Sequence, residues 1–175
     1  MERQAVLQHL AYIFSYPQSE YKDRVEAVYQ WFRRKPRLNQ HIRPFAEFIR
    51  NQTMEAIEEQ FTRTFDMRPS TCLEIGWHLY GEDYKRGQFL VKMRQALAKH
   101  GVAETIELPD HLSHCLMLLA ELPEDEAKIF FRDYLKPAMQ RILQGFEEEN
   151  PFRSAIEFLH ELLYELFGRR NGAAG

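Results

Sequence analysis

A chain of 175 residues can bury one substantial core, and its 45% hydrophobic content, rich in Phe and Tyr, excludes intrinsic disorder. A formal net charge of −3 supplies no molecule-wide field for nucleic acid or anionic lipid. Cys72 and Cys115 form neither a CxxC pair nor a disulfide framework, so reduced thiols and a cytoplasmic setting are expected. The opening residues, MERQAVLQHLAYIF, lack a signal-peptide core. No run approaches the roughly 18 apolar residues of a membrane span, so no membrane insertion is expected.

The first helix is expected over residues 2–15, where Val6, Leu7, Leu10, Ile13 and Phe14 recur at helical spacing. Tyr16-Pro17 ends it, because proline disfavours helical geometry in the preceding residue. Ser19 is positioned to cap a second helix striped by Tyr21, Val25, Val28, Trp31 and Phe32, which stops at Pro36. Pro44 suits the first turn of a third, with Phe45, Phe48 and Ile49 inward. Thr53 caps a fourth, carrying Ile57, Phe61 and Phe65 to a break at Arg68-Pro69.

Ser70 or Thr71 is expected to start a short helix that ends at Gly81, and a longer one spans about 83–100 on Phe89, Leu90, Met93 and Leu97. Gly101 sits where a left-handed cap belongs. The charged loop 102–108 leads to Pro109, which opens a helix striped by Leu112, Cys115, Leu116 and Leu119. Pro123 and the acidic residues 124–126 start the next, which Pro137 kinks or divides. Asn150-Pro151 is the clearest start signal, an N-cap followed by proline, and the stripe from Phe152 to Phe167 runs on to Gly168. No period-2 segment or hairpin dipeptide occurs. The fold class is therefore all-α: a single-domain helical bundle over residues 1–168 with a frayed tail at 169–175.

Residues 65–119 concentrate the polar side chains that turns can expose. His111, His114 and Cys115 carry metal-ligand chemistry on one helix, with Cys72 and His78 as remote further ligands. Against this, the zincin register is absent and Cys115 belongs to the apolar stripe, so no metal or cofactor is expected. Asp110, His111 and Cys115 hold the types of a nucleophilic site, but adjacent helical positions diverge and no nucleophile or phosphate-loop motif occurs, so the chain is not read as an enzyme. The basic cluster Arg33, Arg34, Lys35 and Arg37 reads as a solvated helix end; a nucleic-acid regulator is the alternative it leaves, as a small His/Cys metalloprotein is for the first group. Asp110 can cap a helix whatever its function, or join Glu107 and His111 on the rim of a groove that bonds a polar or cationic peptide. Trp77 and Tyr80 suit either a core boundary or a ligand contact.

Four segments carry a resemblance. Leu10 to Pro17 (LAYIFSYP), Phe61 to Asp66 (FTRTFD), His78-Leu79-Tyr80-Gly81 with Lys85-Arg86-Gly87, and Glu107 to Leu112 (ELPDHL) are similar, in order and spacing, to signatures of the redox-enzyme maturation chaperones. This is the TorD/DmsD/NarJ family, and the chain is most similar to its nitrate reductase assembly branch. The resemblance implies a non-catalytic, cytoplasmic, all-helical chaperone, monomeric or dimeric. Its partner would be the catalytic subunit of a molybdenum oxidoreductase, held by its N-terminal leader, of twin-arginine or remnant type, until cofactor is inserted. Carried over residue by residue, Glu107, Pro109, Asp110 and His111 fall in the leader-binding region, and Tyr12, Tyr16 and Trp77 are expected on its apolar wall.

Overall fold

The computed structural model describes residues 2–147 and 149–169; of the expected tail, all but Arg169 lies outside the described residues. The described chain is helical throughout, with a single isolated bridge between Glu74 and His111 in place of any strand. The helices are α1 (Arg3–Ile13), α2 (Tyr21–Phe32), α3 (Pro36–Asn51), α4 (Met54–Phe61), α5 (Ile75–Tyr80), α6 (Tyr84–Lys99), α7 (Leu112–Glu121), α8 (Glu124–Phe130), α9 (Lys136–Gly145) and α10 (Pro151–Leu163). Wide π turns extend α4 (Thr62–Asp66) and α10 (Tyr164–Gly168), and another (Phe131–Leu135) joins α8 to α9.

Packing follows the apolar stripes. α1 buries Leu7, Leu10, Ile13 and Phe14 and lies along α7 and α2; α2 lies on α3, α3 on α10, α10 on α9, α9 on α5, and α5 on α6. Each fully buried Leu, Ile or Phe contributes about 1.5–3 kcal/mol, so one stripe outweighs the helix propensities beneath it. Phe152 of α10 gathers Phe45, Phe61 and Phe65 with ring centroids 5.2, 5.7 and 5.1 Å away, which fixes α4 and its π turn to α10. Asn150 caps α10 as expected, its Oδ1 accepting from the Phe152 N–H at 2.9 Å. Its amide also donates to the buried Thr64 Oγ1 at 2.9 Å, and Thr71 donates its hydroxyl to the Thr64 carbonyl. The break at 66–71 is thereby tied down at both ends.

Several expectations are corrected. Ser19 does not cap α2: the residue before the helix is Glu20, and no side chain caps that end. Pro36 opens α3 rather than only closing α2, and Pro44 sits inside α3. Proline is tolerated there because Pro44 and Gln40 both face solvent, so the carbonyl that loses its N–H partner is hydrated. Trp31 is 36% exposed, meeting His9 edge-on at 4.8 Å instead of entering the core. The short helix starts at Ile75, not at Ser70 or Thr71. Pro137 divides the α8–α9 rod as expected, and the π turn before it absorbs the clash its ring would make. Gly101 takes the left-handed conformation, with φ of 68°.

Candidate functional site

The backbone at 73–75 lies against 110–112, with Glu74 bridging His111 immediately before α5 begins. Ile75 N–H donates to the Asp110 carbonyl at 3.0 Å, and Leu112 N–H donates to the Leu73 carbonyl at 2.8 Å. This pairing brings the break after α4 against the loop before α7, and a groove of about 450 Å³ opens between them. Its walls are Phe65, Asp66, Met67, Glu74, Trp77, Arg86 and Leu108, with Met67 and Leu108 exposed at the lip. Trp77 is held flat by its indole N–H, which donates to the Pro69 carbonyl at 3.1 Å, and the Arg86 guanidinium lies 5.9 Å from its ring.

Asp66 and Glu74 line this groove, and Glu107, beside the lip residue Leu108, stands near enough to both to feel their charge. Burial raises the pKa of Asp66, and Glu74 raises it further. Burial likewise raises that of Glu107, with Glu74 and then Asp66 adding to it. Mutual repulsion at the edge of an apolar slot is relieved by an incoming cation. Arg86 and Arg68 do not meet that need: Arg86 turns toward Asp110, and Arg68 pairs with Glu147 at 3.3 Å.

The ELPDHL residues divide between surface and interior. Glu107 is half-buried at the groove, but Pro109, Asp110 and His111 are buried. The expectation that Asp110 rims the groove and reaches solvent is not met, since it is 0% exposed. Its Oδ2 accepts the Gly76 N–H at 2.9 Å and stands 3.6 Å from Arg86 Nε. Asp110 thus caps α5, which has no side-chain cap of its own, and not its own helix α7. Burial raises its pKa, opposed by Arg86 and the Gly76 amide. His111 caps α7 instead: its Nδ1 accepts from the Ser113 N–H at 3.2 Å and lies 2.7 Å from the Ser113 hydroxyl. Burial pushes the imidazole down to about 4, so the neutral ring 4.0 Å from Glu107 makes no ion pair at neutral pH.

Trp77 joins Glu107 at the groove, while Tyr12 and Tyr16 do not. Tyr12 is half-buried beneath Arg24, 4.8 Å from its ring, and exposed Tyr16 meets Phe61 edge-on at 6.1 Å. Tyr16 therefore connects to the groove only through Phe61 and Phe65. Sequence reasoning missed Asp66, Glu74, Met67 and Leu108 as site residues. Asp66 and Leu108 stood inside segments already singled out, but nothing in the linear sequence brings Glu74 to Glu107.

The metal-ligand trio does not converge. His114 Nε2 accepts from the Thr105 N–H at 3.0 Å, and its Nδ1 lies 2.8 Å from the Leu108 carbonyl, which pins the loop to α7. Burial raises the Cys115 thiol pKa well above its ordinary value, and its S–H faces the Asp110 carbonyl at 3.6 Å. Cys72 Sγ lies 3.6 Å from His78 Nε2, but burial pushes the Cys72 thiol up to about 12, the reverse of an activated nucleophile. Among the described residues no group of three or more His, Cys, Asp or Glu side chains is placed to hold a metal, and no helix is long and apolar enough to cross a membrane. In the basic cluster, Arg37 pairs with Glu161 of α10.

Known proteins share this sequence and fold. The family model described as nitrate reductase delta subunit matches residues 34–163. The nitrate reductase molybdenum cofactor assembly chaperone NarJ of Escherichia coli (strain K12) is 37% identical over 123 residues, covering 68% of this chain and 50% of that protein. The chain thus spans about half the length of that relative. A Bacillus subtilis (strain 168) protein carrying the same designation is 28% identical over 169 residues, covering 94% of this chain and 90% of its own length. A crystal structure from Archaeoglobus fulgidus, described as a redox enzyme maturation protein, superposes with a TM-score of 0.64 at 19% identity, covering 93% of this chain and 94% of that one, which supports the fold alone. On the extent of the first match, this chain belongs to the nitrate reductase delta subunit family.

Proposed function

We propose that this protein is a cytoplasmic, non-catalytic assembly chaperone that binds the N-terminal leader of a molybdenum oxidoreductase catalytic subunit and holds that subunit ready for cofactor insertion. The observation that carries the reading is an apolar slot lined by Trp77, Asp66 and Glu74, with Glu107 crowded against those two carboxylates beside the lip residue Leu108. A leader that joins arginines to an apolar segment complements both features. Arginine meets carboxylates bidentately, while Met67, Leu108 and Trp77 supply apolar burial in the helix-in-groove manner. The names of the family relatives, as cofactor assembly chaperones for nitrate reductase, support the same client class. Asp110 and His111 serve this site by positioning: they hold the starts of α5, which carries Trp77, and of α7, which follows the Leu108 loop.

Titration calorimetry with a leader peptide from a nitrate reductase catalytic subunit tests this. Glu107→Gln and Glu74→Gln are each expected to weaken binding a few-fold at low salt and less at high salt, as for partly exposed charge pairs of about 1 kcal/mol. Trp77→Ala is expected to weaken it more. Unchanged affinity in all three variants would remove the peptide from this groove and direct the search to Tyr12 and Tyr16.

A further inference from the structure

A second groove of about 300 Å³ lies on another face, where α6 and α7 separate above α8. Its floor is apolar and well covered, made by Phe89 and Met93 of α6, Leu118 of α7 and Phe130 of α8. One lip is Ile129, 48% exposed. Along the other, α6 presents Lys92 and Lys99, both exposed and in no ion pair among the described residues, with His100 at its end. The adjacent Arg94 differs, being matched by Glu104 at 3.1 Å. From Phe89 to His100, the residue that caps α6, the wall runs eleven steps of the helix, about 16 Å at 1.5 Å per residue, or three helical turns.

From this geometry we infer that the α6–α8 groove docks an amphipathic helix of a partner protein, about three turns long, whose apolar face is flanked by carboxylates on the side toward Lys92 and Lys99. The length of the wall and the helical spacing of its lining residues suit a helix. The uncompensated lysines on one lip, with Glu126 on the opposite lip, set its charge and its direction. This groove has two exposed lysines and, among the described residues, no counterpart to the Asp66, Glu74 and Glu107 cluster that would receive a leader's arginines, so the two grooves take different ligands. The inference stands independently of the leader reading.

The test uses the full chain and a fluorescein-labelled synthetic 15-residue helix with leucines at three- and four-residue spacing and glutamates beside them, against a copy with lysines in place of the glutamates. Fluorescence anisotropy is expected to show saturable binding of the glutamate helix only. Lys92→Glu combined with Lys99→Glu should weaken it about ten-fold, while leader-peptide binding is unchanged. Ala96→Arg, which fills the groove from its half-buried wall, should abolish it. Equal binding of both helices, or displacement of the glutamate helix by the leader peptide, would overturn the inference. So would a dimer in sedimentation analysis that the lysine reversals dissolve, because the occupant would then be a second copy of this chain.

Discussion

Gly76 and Gly87 give opposite answers to the same substitution. Alanine in place of a helical glycine ordinarily stabilises by about 0.5–1 kcal/mol. Gly87 lies inside α6 with nothing within 4 Å of a built Cβ, so Gly87→Ala should gain that amount. At Gly76 the Cβ would stand 2.6 Å from Asp110 Oδ2 and 2.9 Å from Phe89 Cδ1. The carboxylate must leave the Gly76 N–H, and a hydrogen bond to a charged group contributes about 1.5–3 kcal/mol. Crowding Phe89 adds an overpacking cost of about 1–3 kcal/mol. Against the propensity gain, Gly76→Ala should lose about 1.5–5.5 kcal/mol, the opposite sign to Gly87→Ala. Equilibrium urea unfolding followed by far-ultraviolet circular dichroism measures both. The double variant Gly76→Ala with Asp110→Ala, by removing the clashing oxygen, should lose less than the two single losses added. Gly76→Ala stabilising the protein as Gly87→Ala does would refute the Asp110 cap on α5.

The other predictions concern His111 and Gly145. His111 titrates near 4 in the folded protein and near 6.5 unfolded, so between those values the unfolded chain binds the extra proton and stability falls as pH falls. Its contribution is about 3 kcal/mol across that window, at 1.36 kcal/mol per unit. His111→Asn keeps an N-cap acceptor without the titration, so its stability should depend less steeply on pH between 7 and 4; parallel profiles would exclude His111 as the source. Asp110, Glu107 and Asp66, whose values are raised, act with the opposite sign and cancel in that comparison. A Cβ on Gly145 would overlap the backbone carbonyl of Ser70, which cannot swing aside as a side chain can. Gly145→Ala should therefore cost about 3 kcal/mol and shift the Trp77 emission through Pro69. Wild-type stability and emission would show that the loop yields freely.

The helices were legible wherever periodicity and a local start or stop signal coincide, as at Asn150-Pro151 and Gly101. At Thr71 and Asp110 a long-range contact replaced the local rule. Thr71 has the chemistry of a helix start, yet its hydroxyl is taken by the Thr64 carbonyl, and the helix waits for Ile75 because 73–75 pair with 110–112. Asp110 has the chemistry of an N-cap and is one, but for a helix more than thirty residues earlier in the chain. Trp31 falls on the apolar stripe of α2 at a point where no neighbouring helix covers it fully. The candidate site was legible in part for the same reason. Glu107 and Trp77 could be singled out, but Asp66 and Glu74 join them only through the fold.

Consecutive residues, Asp110 and His111, fasten the first turns of two different helices, and His114 grips the loop between Thr105 and Leu108 from below. The loop is consequently not a free flap over the bundle. Lifting Leu108 pulls on the same short stretch of backbone that closes the Gly76 and Ser113 amides, so the starts of α5 and α7 release together as one cooperative unit instead of fraying separately. An occupant wedged against Leu108 would thus be felt by both helices at once, a single point of contact with leverage over two sides of the bundle.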